Sequence, residues 1–338
     1  MATIDDVARA AGVSASTVSY ALSGKRPISA KTRERIERTI RELGYRPHAG
    51  ARALASSRSN VIALMIPFRA GINVAIIMQF VKGVVTTARG FDHDVLLLTQ
   101  DDPSGMDRVA ASSMADALIV MDVESEDPRL PVLRTLRQPS VLIGVPADPD
   151  GLSCVDLDFT AAGRMFVRHL VGFGHREIVL IGASRSRFER RANYAVRMRA
   201  GVLEEGAAHG LTPGVVPCEP TFAGGMRAVE QMLAQYPDVT GVIVHNEAAL
   251  PGVVAALNQR GLTSPDAISL LAVSVTEADD MMSAPITSID VPGQDIGRVA
   301  VQMVMARLEG DDLAETRLIS PTLTDRGSCG PVPAATAR

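Results

Sequence analysis

The chain has 338 residues, 46% hydrophobic and 21% charged, with a net charge of −4 and three cysteines. That length and apolar content exceed what one small core needs and predict more than one folded unit. Cys154, Cys218 and Cys329 are too scattered for a disulfide framework or a zinc site, and no apolar run approaches the ~20 residues that span a bilayer. No signal or transit peptide precedes the first expected helix, so a cytoplasmic chain with reduced thiols is expected, with no membrane, metal or cofactor.

The mean charge hides an asymmetry. Residues 1–60 hold eleven Lys and Arg against five Asp and Glu, a net of +6, which leaves −10 on the remainder. A basic head on an acidic body is the distribution expected when one end meets nucleic-acid phosphate.

In chain order, Thr3 with Asp6 forms a capping-box pattern, and Ile4, Val7, Ala8 and Ala11 recur at helical spacing. Gly12 ends this helix. Ser14 is a second N-cap for a helix over Ala15 to Leu22, with Val18 and Leu22 inward and Ala15, Ser16, Ser19 and Tyr20 outward. A third helix is predicted from Ala30 to Leu43, capped by Ser29 and stopped by Gly44, with Ile36, Ile40 and Leu43 inward. Two short helices about a glycine turn, with small polar residues on the second, form a unit that reads DNA bases. The next stretch, from Tyr45 to Ser57, suits a short helix too small to persist alone, which Gly50 weakens further. A second subunit or the DNA minor groove would support it, with Leu54 as the apolar wedge that parts a base step.

The run IDDVARAAGVSASTVSYALSGKRPISAKTRERIERTIRELGYRPHAGARALA, within the first 58 residues, resembles the headpiece and hinge helix of the lac repressor family in order and spacing throughout. The resemblance implies that Ala15, Ser16 and Tyr20 read bases, that Thr17, Ser19, Thr32 and Tyr45 hold phosphates, and that Leu54 inserts at the operator centre. Ser14, Arg26, Ser29, His48 and Arg52 complete the expected DNA-binding set.

Beyond Val61, apolar runs (VIALMIP, DVLLLTQ, ALIVMDV, SVLIGVP, then EIVLIGA, VVPCEP, GVIVHNE, ISLLAVS) alternate with amphipathic stretches. Continuous apolar strands alternating with helices give parallel sheets covered on both faces, and two such series give two doubly wound lobes. The expected fold class is therefore α/β: a three-helix helix-turn-helix headpiece and hinge helix, then two parallel-sheet lobes of the periplasmic-binding-protein type. The headpiece is placed at residues 1–46, hinge and linker at 47–60, and the two-lobed effector-binding and dimerisation unit at 61–328. Within it one lobe takes about 61–160 and 293–325, the other about 161–292, and 329–338 form a flexible tail. Ligands of such sheets sit beyond the carboxyl ends of the strands, here between the lobes.

The family resemblance extends to Asp158, HLVGFGHREIVLIG, GVIVHNEAAL and ITSIDVPGQDIGRVAVQM. It implies an effector site containing Asn246 and Glu247, with Arg197, Arg199 and Ser274. Gly144 and Ser274 stand where many members place a sugar-gripping aspartate, and the usual Arg-x-x-Gly is displaced by one residue in Arg197-Met198-Arg199-Ala200-Gly201. Arg185, Arg187, Arg190 and Arg191 cluster beside a strand end, as a solvated loop or as a grip on carboxylate or phosphate. His169, His175 and His245 have no second ligand at metal spacing and are read as structural or as donors to a ligand.

Together these features predict a homodimeric repressor on a near-palindromic double-stranded DNA operator, controlled by a small molecule bound between the lobes. A carbohydrate is the class implied by the resemblance. A corepressor mode with an anionic or nucleobase ligand stays open at this level. An enzyme does not fit, because no nucleophile elbow, P-loop or metal spacing is present.

Overall fold

The structure, a computed structural model, describes residues 2–23, 26–45, 58–69, 73–99, 106, 114–274 and 285–332. The expected hinge residues His48, Arg52 and Leu54 lie outside the described residues.

The head is three helices, α1 (Ile4–Ala11), α2 (Ala15–Ser23) and α3 (Ala30–Leu43). Local caps set their ends. The Thr3 hydroxyl accepts from the Asp6 amide while the Asp6 carboxylate accepts from the Thr3 amide, and Gly12 and Gly44 close α1 and α3 in the left-handed conformation. Ser14 accepts from the Thr17 amide at 3.2 Å. Val7, Ala8, Ala11, Val18, Ile36 and Tyr45 form the miniature core. Two expected core positions differ: Leu22 and Leu43 are exposed, and Ala21 and Tyr45 take their places. On α2 the buried stripe is centred on Val18 with Ala15 and Ala21, one turn either way, which rotates Leu22 outward.

The body holds two six-stranded sheets. In the first lobe β1 (Val61–Met65), β2 (Asp94–Leu98), β3 (Ala117–Val120), β4 (Ser140–Ile143), β5 (Ser153–Leu157) and β11 (Thr316–Ile319) lie in the order β11-β5-β4-β3-β1-β2, all parallel. Helices α4 (Val74–Gly90), α5 (Leu130–Thr135) and α11 (Gly293–Leu308) belong to this lobe, and α4 packs along α11. The second sheet takes β6 (Ile178–Ile181), β7 (Gly214–Val216), β8 (Gly241–Val244), β9 (Ser269–Ser274), β10 (Thr287–Asp290) and β12 (Leu323–Thr324) in the order β12-β10-β9-β8-β6-β7. Its helices are α6 (Phe159–Gly172), α7 (Arg185–Glu189), α8 (Asn193–Ala208), α9 (Phe222–Gln235) and α10 (Leu250–Gln259). Continuous apolar burial marks the central strands, as parallel sheets covered on both faces require. Apolar continuity passes over β5, SCVDL, because Ser153 and Asp156 interrupt a segment that is nonetheless buried throughout.

Among the described residues the chain crosses between lobes three times, after β5, after β10 and between β11 and β12. The last crossing corrects the expected boundary at 325, since β12 pairs antiparallel with β10 in the second lobe. Residues 329 and 330 are no tail: Cys329 is buried, the Gly330 amide donates to the Ser269 hydroxyl at 3.0 Å, and its carbonyl lies 3.0 Å from His175 Nε2. His175 also meets the hydroxyls of Thr240 and Ser269, a structural clasp on the chain end rather than a ligand contact.

Helix α6 crosses α8 at two glycines. A Cβ on Gly201 would stand 2.1 Å from the Thr160 carbonyl oxygen, and one on Gly163 would stand 2.6 Å from that of Met198. The two helices therefore touch backbone to backbone.

Candidate functional site

On the headpiece, Ser14 caps α2 and its hydroxyl lies 2.9 Å from that of Ser16 and 2.8 Å from that of Thr17. Ser16 is exposed, whereas Thr17, Ser19 and Tyr20 are half-buried. The Arg26 guanidinium lies over the Tyr20 ring, 5.2 Å from its centroid, a cation–π contact that orients both. Ser29 caps α3 by accepting from the Thr32 amide at 3.1 Å. Ala15 is half-buried against the miniature core, and Tyr45 is 7% exposed within it. Both thus carry packing roles as well. Arg33, Arg35, Arg38 and Arg41 stand exposed on α3, with no ion pair among the described residues.

A cavity of about 370 Å³ lies between the lobes, within the range of small-ligand sites. Its walls come from the carboxyl ends of strands in both sheets. Arg69 follows β1, Met121 and Asp122 follow β3, Gly144 follows β4, Asp156 belongs to β5, His245 and Glu247 follow β8, and Val291 follows β10. Phe80 and Ile76 from α4 and Phe159 from α6 supply apolar surface, and Tyr194 from α8 faces them. The rings of Phe159, Tyr194 and His245 meet in pairs with centroids 5.6–5.8 Å apart. Gly144 sits at φ +125°, and a Cβ there would meet the Val123 Cβ at 2.8 Å. Backbone and space together exclude an aspartate at 144 unless Val123 moves.

The charges in this wall compensate one another. Arg190 donates to Glu124 at 2.8 Å and to both oxygens of Asp122 at 3.0 Å, and Arg69 reaches the same two acids at 3.2 and 2.9 Å. Burial opposes the Arg190 charge, but the two carboxylates outweigh it and raise its pKa. Arg187 donates to the Tyr194 hydroxyl and lies 5.8 Å over its ring. Across the cleft, Asn73 donates to Glu247 at 3.1 Å. Burial raises the Glu247 pKa, pushes Tyr194 up to about 12, and drives His245, with Arg187 beside it, down to about 3. His245 is therefore neutral at physiological pH.

Of the five expected effector residues, the cavity wall contains Glu247. Arg197 turns instead to Asp156 at 2.9 Å, the Leu157 carbonyl at 3.2 Å and Asp158 at 3.5 Å. A displacement of one residue on a helix rotates the side chain by about 100°, so the buried Met198 takes the inward position. Arg199 lies over the Phe188 ring, and Asn246 is buried and donates to the Cys218 carbonyl at 2.8 Å. Ser274, buried at the end of β9, is not among the lining residues. The solvated-loop reading of the arginine cluster holds for Arg191, which pairs with exposed Glu126, but not for Arg187 and Arg190, which line the cavity. Arg69, Asn73, Asp122 and Tyr194 carry no local signal in the sequence. For Arg69 and Asp122 the one available clue is placement after strand ends by the parallel topology, whereas Asn73 caps α4 and Tyr194 stands in the first turn of α8. Among the described residues no His, Cys, Asp and Glu cluster suits a metal, and no helix is long and apolar enough to cross a membrane.

Residues 3–48 match the model of bacterial regulatory proteins, lacI family, and residues 167–329 match the periplasmic binding protein-like domain. The HTH-type transcriptional regulator AglR of Rhizobium meliloti is 30% identical over 345 residues, covering 98% of this chain and 95% of that protein. The crystal structure of the lac repressor dimer bound to operator and the anti-inducer ONPF superposes with a TM-score of 0.83 at 22% identity, covering 97% of this chain and 98% of the other. A complex of the transcriptional regulator CelR with cellobiose gives 0.70 at 23% identity, covering 97% of this chain and all of that one (100%). A DNA-reading headpiece, two lobes around a ligand-sized cavity and a relative matched nearly end to end converge on one conclusion: the chain belongs to the lacI family of bacterial regulatory proteins.

Proposed function

We propose that this DNA-binding transcriptional regulator is a repressor whose operator affinity is set by a neutral carbohydrate held between the lobes. The observation that carries the reading is the balance of the cavity: Arg69, Arg187 and Arg190 face Asp122, Asp156 and Glu247 in its lining, Glu124 and Arg197 pair with these groups from behind it, and donors alternate with acceptors over an apolar, aromatic ground. A polyhydroxylated ligand can satisfy such groups without bringing charge. An anion would have to compete with carboxylates already seated on Arg190, which weighs against the anionic form of the corepressor reading. The cellobiose bound to CelR supports the same ligand class. Two copies would engage two half-sites together, consistent with a homodimer.

Isothermal calorimetry and thermal shift with neutral mono- and disaccharides, phosphosugars and purines test the reading. A neutral sugar should bind, raise the melting temperature and change operator affinity. Binding of only phosphorylated sugars or purines would overturn it. For the headpiece, Tyr20→Ala is expected to relax base preference at one position of each half-site by about 1–3 kcal/mol, while Thr32→Ala weakens all sequences alike. Fluorescence anisotropy on a set of operator variants distinguishes the two, and uniform losses for Tyr20→Ala would exclude base reading.

A further inference from the structure

The three covalent crossovers are not the only joins between the lobes. The loop after β3, residues 122–126, runs antiparallel against residues 191–193 ahead of α8. The Ser125 amide donates to the Arg191 carbonyl at 2.9 Å and the Asn193 amide to the Val123 carbonyl at 3.1 Å, with Glu124 and Ala192 bridged between them. The Asn193 side-chain amide adds a bond to the Ser125 hydroxyl at 3.2 Å. Arg190 and Arg69, alternating with Asp122 and Glu124, frame this strip with four compensating charges.

Both edges of the contact are built for their shape. Asp122 and Arg191 are left-handed at φ 55°, a conformation uncommon outside glycine. Behind the first edge, buried Arg129 donates to the carbonyls of Met121 and Asp122 at 3.0 and 3.1 Å and pairs with Asp127 at 2.7 Å, and Asp127 in turn accepts from the Glu124 amide. Main-chain hydrogen bonds are directional, so this strip opposes both opening and sliding of one lobe on the other. Asp122, Val123 and Arg190 also line the cavity. A ligand that touches them touches the join.

We infer that residues 122–126 and 190–193 form a latch between the lobes whose making and breaking transmits cavity occupancy to the operator. This rests on the reading above that a carbohydrate held between the lobes sets operator affinity. Glu124 acts as a positioning residue: it lies outside the cavity lining yet holds both arginines, and supplies one of the two carboxylates that face Arg190. Isolated exposed ion pairs contribute little, but here the main-chain strip and a connected set of four charges act together.

Two variants outside the cavity lining test the latch in the full-length protein. Glu124→Gln is isosteric and removes one charge. Asn193→Pro removes the Asn193 N–H and side-chain donors; residue 193 is the first of α8, where proline is well placed, and Ala192 at ψ 115° already has the extended backbone that a following proline demands. Glu230→Gln, which breaks only the exposed Arg260–Glu230 pair within the second lobe, is the control. Hydrogen–deuterium exchange of peptides covering 122–127 and 190–195 is measured with no sugar added. Operator affinity is measured on a duplex selected from a random-sequence pool with the wild-type chain. Exchange in both peptides should quicken and the operator dissociation constant should shift by about fivefold or more in both variants, with the control unchanged. Unchanged exchange, or faster exchange with unchanged operator affinity, overturns the latch, and Glu124→Gln decides alone if the proline variant does not fold. Sugar-dependent operator affinity in the wild type with silent variants leaves the carbohydrate reading standing without the latch. Variants that shift operator affinity in a protein that binds no neutral sugar leave the latch standing without that reading.

Discussion

Arg197→Met is expected to destabilise the protein by an amount that grows with pH. Asp156 is buried, and burial pushes its carboxyl up to about 7 against the pull of Arg197 at 2.9 Å. A carboxyl whose folded-state pKa is raised contributes stability that is full below the ordinary carboxylate range and is lost as pH rises through the folded value. Without the guanidinium, Asp156 must stay protonated, and each pH unit above about 7 then adds up to about 1.4 kcal/mol of cost relative to the wild type. Near pH 5.5 the acid is neutral in both proteins, and only the lost hydrogen bonds to Asp156 and Leu157 remain, about 1–3 kcal/mol. Thermal or urea melts at pH 5.5 and 8.5 check this. An equal loss at both values would show that Arg197 does not hold the Asp156 charge.

Gly201→Val is expected to be among the most damaging single changes in the second lobe. The first added carbon already meets the Thr160 carbonyl oxygen at 2.1 Å, and the obstacle is backbone, which cannot rotate away as a side chain would. Adding even one methylene to a tight core costs about 1–3 kcal/mol, and valine adds two further carbons and a stiff χ1. Separation of α6 from α8 would also displace Phe159 and Tyr194, which these helices carry into the cavity wall. Gly201→Ala should lower the melting temperature measurably and Gly201→Val should abolish soluble, cooperatively melting protein. A wild-type melt for the alanine variant would mean that the helices separate at little cost.

Both predictions touch the Arg197 to Gly201 segment, where sequence pattern and site part company. The glycine of that landmark is explained by a helix crossing, which any sequence carrying it must respect. Its arginine lies outside the cavity lining, because a one-residue offset points it at Asp156 and leaves Met198 buried. Gly144 shows the same divergence in reverse. It does line the cavity, but its left-handed backbone and the nearby Val123 leave no room for the aspartate found there in many family members.

By itself the sequence determined the features that depend on near neighbours: the Thr3 and Ser29 caps, the Gly12 and Gly44 stops, and the bounds of α3. It determined as well the two series of apolar strands and the basic head on an acidic body, since periodicity, capping and charge are local or additive properties. Tertiary structure alone decided the cavity. Its polar residues come from segments far apart in the chain, as Asn73 and Glu247 do at 174 positions, and the aim of each is set by loop backbone and by partners from the other lobe. The return of β12 to the second sheet and the strip between residues 122–126 and 191–193 were decided there too, because main-chain hydrogen bonds between distant segments leave no mark on side-chain pattern.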